Sequence, residues 1–260
     1  MGLFSFFSAK NKTNNRAGTV ALNRIACSTG NTEVVTGLLK VPQEQRGDTW
    51  LQEFYHHAKT AAFINGDPEL FTGPDGFKYF VLRTPPAGGN NVSSCIENLK
   101  DDLLLEKGFG VVINPEGNLA DWVFSYGDIV NLQLNKEFVS TTEQRGIEHI
   151  DMTKKMGLIN KGEQLMVAQP SQGYLPKQTR AIIRSFLQRK GIKRPMIMLL
   201  CRKTEGAMQH QLVFNIHPED FASDKQHNSL MQKISWFLPR HYTVISFSKK
   251  SGITRDFDML

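Results

Sequence analysis

Cys95 is the residue whose type and setting carry the most chemistry. It stands in Ser94-Cys-Ile-Glu97, where a serine followed three residues later by a glutamate predicts a reciprocal helix cap. A thiol in such a first turn faces unpaired N–H groups that favour thiolate. A working nucleophile also needs a base and an oxyanion site. No histidine lies near it in sequence, and a small side chain packed under the turn is the competing reading. The second chemical feature is basic: between Pro170 and Thr204 there are nine Lys or Arg and no Asp or Glu. Lys177, Arg180 and Arg184 fall along one stripe of an expected helix, with Arg189, Lys190, Lys193 and Arg194 at its end. Such a run can grip an acidic protein surface, nucleic acid or anionic lipid, while cations also simply favour a helix C-terminus. Stacking aromatics are sparse around it, Tyr174 being the obvious one, which places an acidic protein partner ahead of nucleic acid. The loop from Pro85 to Ser94 delivers glycines and serines into a helix start, as anion-holding loops do, but it lacks the lysine of a nucleotide loop. No His pair has metal-ligand spacing, and no cofactor motif is present.

These residues must be positioned by elements that the apolar pattern defines. Trp50, Leu51, Phe54 and Tyr55 mark one face of a helix within Gln43–His57. Ala61–Ile64 and Phe77–Arg83 read as strands separated by turn residues. A helix opened by the Ser94 cap closes at Gly108, then Phe109–Ile113 and Asp121–Phe124 form a hairpin across Asn114-Pro-Glu-Gly117, and a short helix follows from Tyr126. The second half reads strand, helix, strand, strand, helix, strand: Gln164–Ala168, Pro176–Lys190, Met196–Cys201, Gln211–His217, Ser223–Leu238 and Tyr242–Phe247. The fold class is therefore α+β, with two small domains, the C-terminal one a split β-α-β (βαββαβ) sandwich. In that topology the second strand lies at an edge, yet Met196-Ile-Met-Leu-Leu200 is apolar toward both faces. The acidic domain or a second copy is the expected cover.

Charge divides the chain the same way. Residues 41–140 carry 7 basic and 14 acidic side chains, and residues 163–260 carry 15 basic and 7 acidic ones, so a net −7 half faces a net +8 half. The domain expectation is a mobile tail over 1–40, closing with a helix around Glu33–Lys40, then an acidic domain over 41–140. A linker over 141–162, a basic domain over 163–250 and a tail over 251–260 complete it. Three widely spaced cysteines without a CxxC pair argue against a disulfide framework and suit a reducing cytoplasm. No stretch reaches the roughly 18 apolar residues of a membrane span.

With the elements placed, the chain resembles the SseB family of bacterial cytoplasmic proteins. The resemblance rests on Val167-Ala-Gln-Pro170, the helix after Pro176, the strands around Leu199 and Phe214, and Leu238-Pro239 after the closing helix. In the first half it rests on Trp50–Ile64 and on Leu105-Glu-Lys-Gly-Phe-Gly-Val-Val-Ile-Asn-Pro115. It covers about two thirds of the chain through apolar positions and turns. It implies a non-enzymatic accessory or binding role through protein contacts, with no catalytic residues and no cofactor. The partner is expected to be an acidic protein surface or a second copy, met by Lys177, Arg180, Arg184 and Arg189. A thiol-dependent enzyme using Cys95 and a nucleic-acid binder using the basic helix 176–194 remain the alternatives.

Overall fold

The computed structural model describes residues 24–86, 94–117, 119–140, 165–204, 207–251 and 257–260. The expected linker 141–162, the residues before 24 and most of the Pro85–Ser94 loop lie outside these. The fold is α+β with two mixed sheets. In the first half α1 (Thr29–Leu39) and α2 (Asp48–Ala58) precede β1 (Ile64–Thr72) and β2 (Lys78–Arg83). A helix follows whose first turn, α3 (Ile96–Leu99), continues as a π-helical stretch over Lys100–Leu105. Then come β3 (Gly110–Glu116), β4 (Leu119–Phe124) and α4 (Tyr126–Asn135). The second half runs β5 (Leu165–Ala168), α5 (Lys177–Arg189), β6 (Met196–Thr204), β7 (Ala207–Phe214), α6 (Asp224–Ser235), β8 (Thr243–Ile245) and β9 (Asp258–Met259).

Three expectations are corrected by tertiary packing. The helix expected around Glu33–Lys40 is present but starts earlier, as α1, and belongs to the core and not to a tail: Ser28 caps it by accepting the Asn31 N–H, and Val35 and Leu39, one turn apart, bury their side chains. Trp50 Nε1 donates to the Leu38 carbonyl (2.9 Å), fastening α1 to α2. The helix after the Pro85 loop starts at Ile96, with Cys95 as its cap and no side-chain cap bond. Ser94 is committed elsewhere, exchanging both backbone hydrogen bonds with Phe63 at 2.8 Å. The last ten residues are not a tail throughout either, because β9 pairs with Met196 and Ile197, and Leu260 is fully buried.

The second half has the expected βαββαβ order, and its pairing places the elements differently from the expectation. The strands lie in the order β5-β6-β7-β8, so β6, the second strand, sits inside the sheet. One side of β6 pairs with β7, and the other takes β5 along Leu199–Arg202 and β9 at its start. Its apolar run follows from this. Ile197 and Leu199 face the main core, while Met198 and Leu200 face a second cluster built with Val213 and Phe247. Thus the chain's own C-terminal segment, through Phe247 and Phe257, covers the face for which the acidic domain or a second copy was expected.

The two halves repeat one arrangement. Helix, antiparallel hairpin, helix and a strand parallel to the hairpin's second strand occur as α2-β1-β2-α3-β3 and again as α5-β6-β7-α6-β8. Counterpart elements start at Asp48 and Lys177, Ile64 and Met196, Lys78 and Ala207, Ile96 and Asp224, Gly110 and Thr243, a fixed spacing of about 130 residues that marks an internal repeat. The core positions keep step: Trp50, Phe54 and Ala58 of α2 occupy the helical places that Thr179, Ile183 and Leu187 take in α5, and all six are buried. Each half adds its own flanking strand, β4 beside β3 and β5 beside β6.

One continuous hydrophobic cluster runs through both halves. The residues that follow α6 stand at the junction. Trp236 stacks on Phe77 at 4.0 Å and donates its Nε1–H to the Tyr79 hydroxyl at 3.0 Å. Phe237 packs edge-on against Phe77 and Tyr126. Gly127 N–H donates to the Trp236 carbonyl (3.0 Å), and a Cβ on Gly127 would stand 1.9 Å from the Leu238 carbonyl oxygen. Gly108, at φ +74, likewise leaves no space for a Cβ, which would meet Ile182 of α5 at 2.8 Å.

Candidate functional site

The expected basic stripe separates when α5 folds. Arg180 turns back onto its own half: Nε donates to the Leu175 carbonyl at 2.9 Å, and one terminal nitrogen reaches the carbonyls of both Pro170 and Ser171. Burial lowers its pKa, as expected of a guanidinium that holds a turn. Arg184 has its Nε buried. Lys177 is exposed at the first turn. Arg189 lies on the opposite flank, because successive residues rotate by about 100° and positions 182, 185, 186 and 189 share that side. The structure therefore does not bring the four expected residues together.

It gathers a different set. A cleft of about 500 Å³ opens where α5 meets the first half. Lys78 and Lys107 come from the first half, and Arg189 and Lys190 from α5; Phe77, Phe109, Ile182, Phe186 and Phe237 also line it. No Asp or Glu contributes to the lining. Lys107 is paired at the surface with Glu106 (2.5 Å), and Lys190 stands 5.9 Å from the centre of the Phe186 ring. The cleft exists because Gly108 lets α5 approach the corner before β3, which brings cations of the two halves to one mouth. Lys78 and Lys107 belong to the net acidic half, and their convergence with α5 is a tertiary fact without a local sequence signal.

Two arrangements have the residue types of catalysis. Ser246 Oγ lies 3.0 Å from His227 Nε2, and His227 Nδ1 is 3.2 Å from Asn228 Oδ1. Ser246 is 2% exposed and His227 1%, and a nucleophile must meet its substrate, so this pair satisfies its own polar groups inside the fold. Cys95 is fully buried, and burial first, then the neighbouring Cys27 thiol, pushes its thiol up to about 12. That direction is opposite to what a nucleophilic thiolate requires. Among the described residues no cluster of three His, Cys, Asp or Glu side chains is placed to hold a metal, and no helix is long and apolar enough to cross a membrane.

No family model matches the chain, and no curated protein or solved structure is similar to it.

Proposed function

We propose that the protein is a non-enzymatic accessory or binding protein of the SseB type, acting in a bacterial cytoplasm through contact with an acidic protein surface. The observation that carries this reading is the convergence of Lys78, Lys107, Arg189 and Lys190 on one acid-free cleft. Lys78, Arg189 and Lys190, with Lys107 shared with Glu106, hold an excess of positive charge around an apolar floor that an anionic partner relieves. That partner is another protein or the net −7 half of a second copy. The apolar floor gives the interface a core that a purely electrostatic patch lacks.

The test is titration of the full chain with an acidic polypeptide, poly-glutamate, at rising salt, beside duplex DNA. Replacing Lys78, Lys107, Arg189 and Lys190 together by Ala is expected to weaken polypeptide binding by about tenfold or more, roughly 1.4 kcal/mol, and to flatten its salt dependence. Lys177→Ala, on the other flank of α5, is the control and keeps wild-type affinity. Equal loss in the control, or preferential binding of DNA, overturns the reading. Light scattering at low and high salt separates a second copy from a foreign partner.

A further inference from the structure

Cys27 and Cys95 are far apart in sequence and meet in space. The chain around each flanks the short segment 60–63, with Ser28 bridged to Ala61 and Ser94 bridged to Phe63. Asn98 ties the two together. Its side chain accepts the Ile25 N–H at 3.0 Å, donates to the Ile25 carbonyl at 2.9 Å and lies 3.7 Å from Cys27 Sγ. Its backbone N–H donates to the Cys95 carbonyl at 3.1 Å. The Cys27 thiol stands close enough to Cys95 to add to the rise of its pKa. Cys27 is half-buried and Cys95 fully buried, while Cys201 is enclosed in the second sheet.

We infer that Cys27 and Cys95 form a dithiol modification site that takes a low-molecular-weight disulfide of the glutathione type. Cys27, the one with access to solvent, loses its proton and attacks one sulfur of the reagent, giving a mixed disulfide on Cys27 and releasing one thiol. Cys95, protonated until then and not a standing thiolate, attacks the Cys27 sulfur held beside it as its proton passes to the departing thiolate, the Cys27–reagent bond breaks, and a second thiol leaves. The chain gives up two protons and two electrons, and the reagent is reduced to two thiols. An S–S bond of about 2.05 Å requires the Cα atoms within about 7 Å. Residues 24–27 lie outside any helix or strand, so the adjustment falls on them and leaves the helix start at Cys95 in place. The product is a covalent tie between the entry to α1 and the start of α3.

The experiment treats the folded wild-type chain with oxidised glutathione, alkylates remaining thiols, and maps peptides by mass spectrometry without reduction. The expected result is a Cys27–Cys95 cross-linked peptide, no retained glutathione, an alkylated Cys201, and return of both thiols on adding dithiothreitol. In Cys95→Ser the Cys27 thiol is expected to keep one glutathione, because nothing resolves it. Glutathione retained on wild-type Cys27 with Cys95 alkylated, three intact thiols, or a cross-link through Cys201 each overturns the inference. The decisive readings come from the wild type and do not depend on how the variant folds.

Discussion

Asp128 is a carboxylate with no exposure at all, and three hydrogen bonds make that tolerable. Arg240 meets it with two hydrogen bonds, Nε to Oδ1 at 2.7 Å and a terminal nitrogen to Oδ2 at 3.0 Å, and the Ser125 N–H donates to Oδ2 at 2.8 Å. Removing one partner of a buried pair strands the other charge and typically costs 3–5 kcal/mol. The Arg240 side chain is 40% exposed, so screening reduces this, and Arg240→Ala is expected to lower stability by about 2–3 kcal/mol in urea unfolding. Arg240→Lys recovers only part, since a lysine cannot form the paired bonds. Alkaline pH probes other buried groups. Burial pushes Tyr126 up to about 12, as it does Tyr174. A group whose folded pKa lies above its unfolded value, about 10 for tyrosine, stabilises fully below the unfolded value and loses that contribution as pH climbs to the folded one. Stability is therefore expected to fall between about pH 10 and 12, and Tyr126→Phe to flatten that fall, read by urea unfolding at stepped pH. Neither Asp128 nor Tyr126 was marked as special in the sequence. Their partners, Arg240 and the Leu105 carbonyl that Tyr126 bonds at 3.1 Å, come from other elements.

At the scale of elements, the period of the apolar residues was a sound guide to what each segment becomes and a poor guide to where it goes. Trp50, Leu51, Phe54 and Tyr55 predicted α2, and Ile182, Ile183, Phe186 and Leu187 predicted α5; all are buried except Leu51 and Ile182, which are partly buried and pack against the core. The stripe of cations on α5 was also legible, but Arg180 folds back onto the carbonyls of Leu175, Pro170 and Ser171, because a guanidinium with five donors serves unpaired carbonyls as readily as it serves a partner. The pairing of β6 was not legible, since an apolar strand reads the same whether helices or its own chain end cover its second face. The clearest element-level dependence is the start of α4. Gly127 touches the backbone at Leu238, so a methyl group there must move main chain. Gly127→Ala is expected to cost about 1–3 kcal/mol or more and to expose Trp236, seen as a red shift of its fluorescence. An unchanged spectrum with full stability would show that the helix ends slide past each other freely.

Taken whole, the molecule is two copies of an α-β-β-α-β arrangement whose contacts are reciprocal. Ile182 of α5 rests on Gly108, at the corner before β3, and Tyr55 of α2 lies beside Arg240, at the corner before β8, whose charge acts on its hydroxyl. The sequence suggested two halves from charge and length, and the repeat stayed hidden because Trp50 and Thr179, or Phe54 and Ile183, share a place without sharing chemistry. Among the described residues the ion pair crossing between the halves joins Asp128 and Arg240; aromatic and apolar packing surrounds it, with hydrogen bonds from Trp236 to Tyr79 and from Gly127 to Trp236. Because one core runs through both, fluorescence and far-ultraviolet circular dichroism are expected to report a single coincident unfolding transition. Two separated transitions would show that the halves are energetically independent.

The lateness of Trp236 in the chain has a consequence during synthesis. Phe77, Tyr79 and Tyr126 leave the ribosome well before the residue that stacks on them. At roughly 5–20 residues per second, the hundred or so residues between Tyr126 and Trp236 take on the order of 5–20 s to emerge. For that interval the first half presents an uncovered aromatic face to the cell. A ribosome stalled before codon 236 would leave that face open to holdase chaperones, and release of the next few residues would close it.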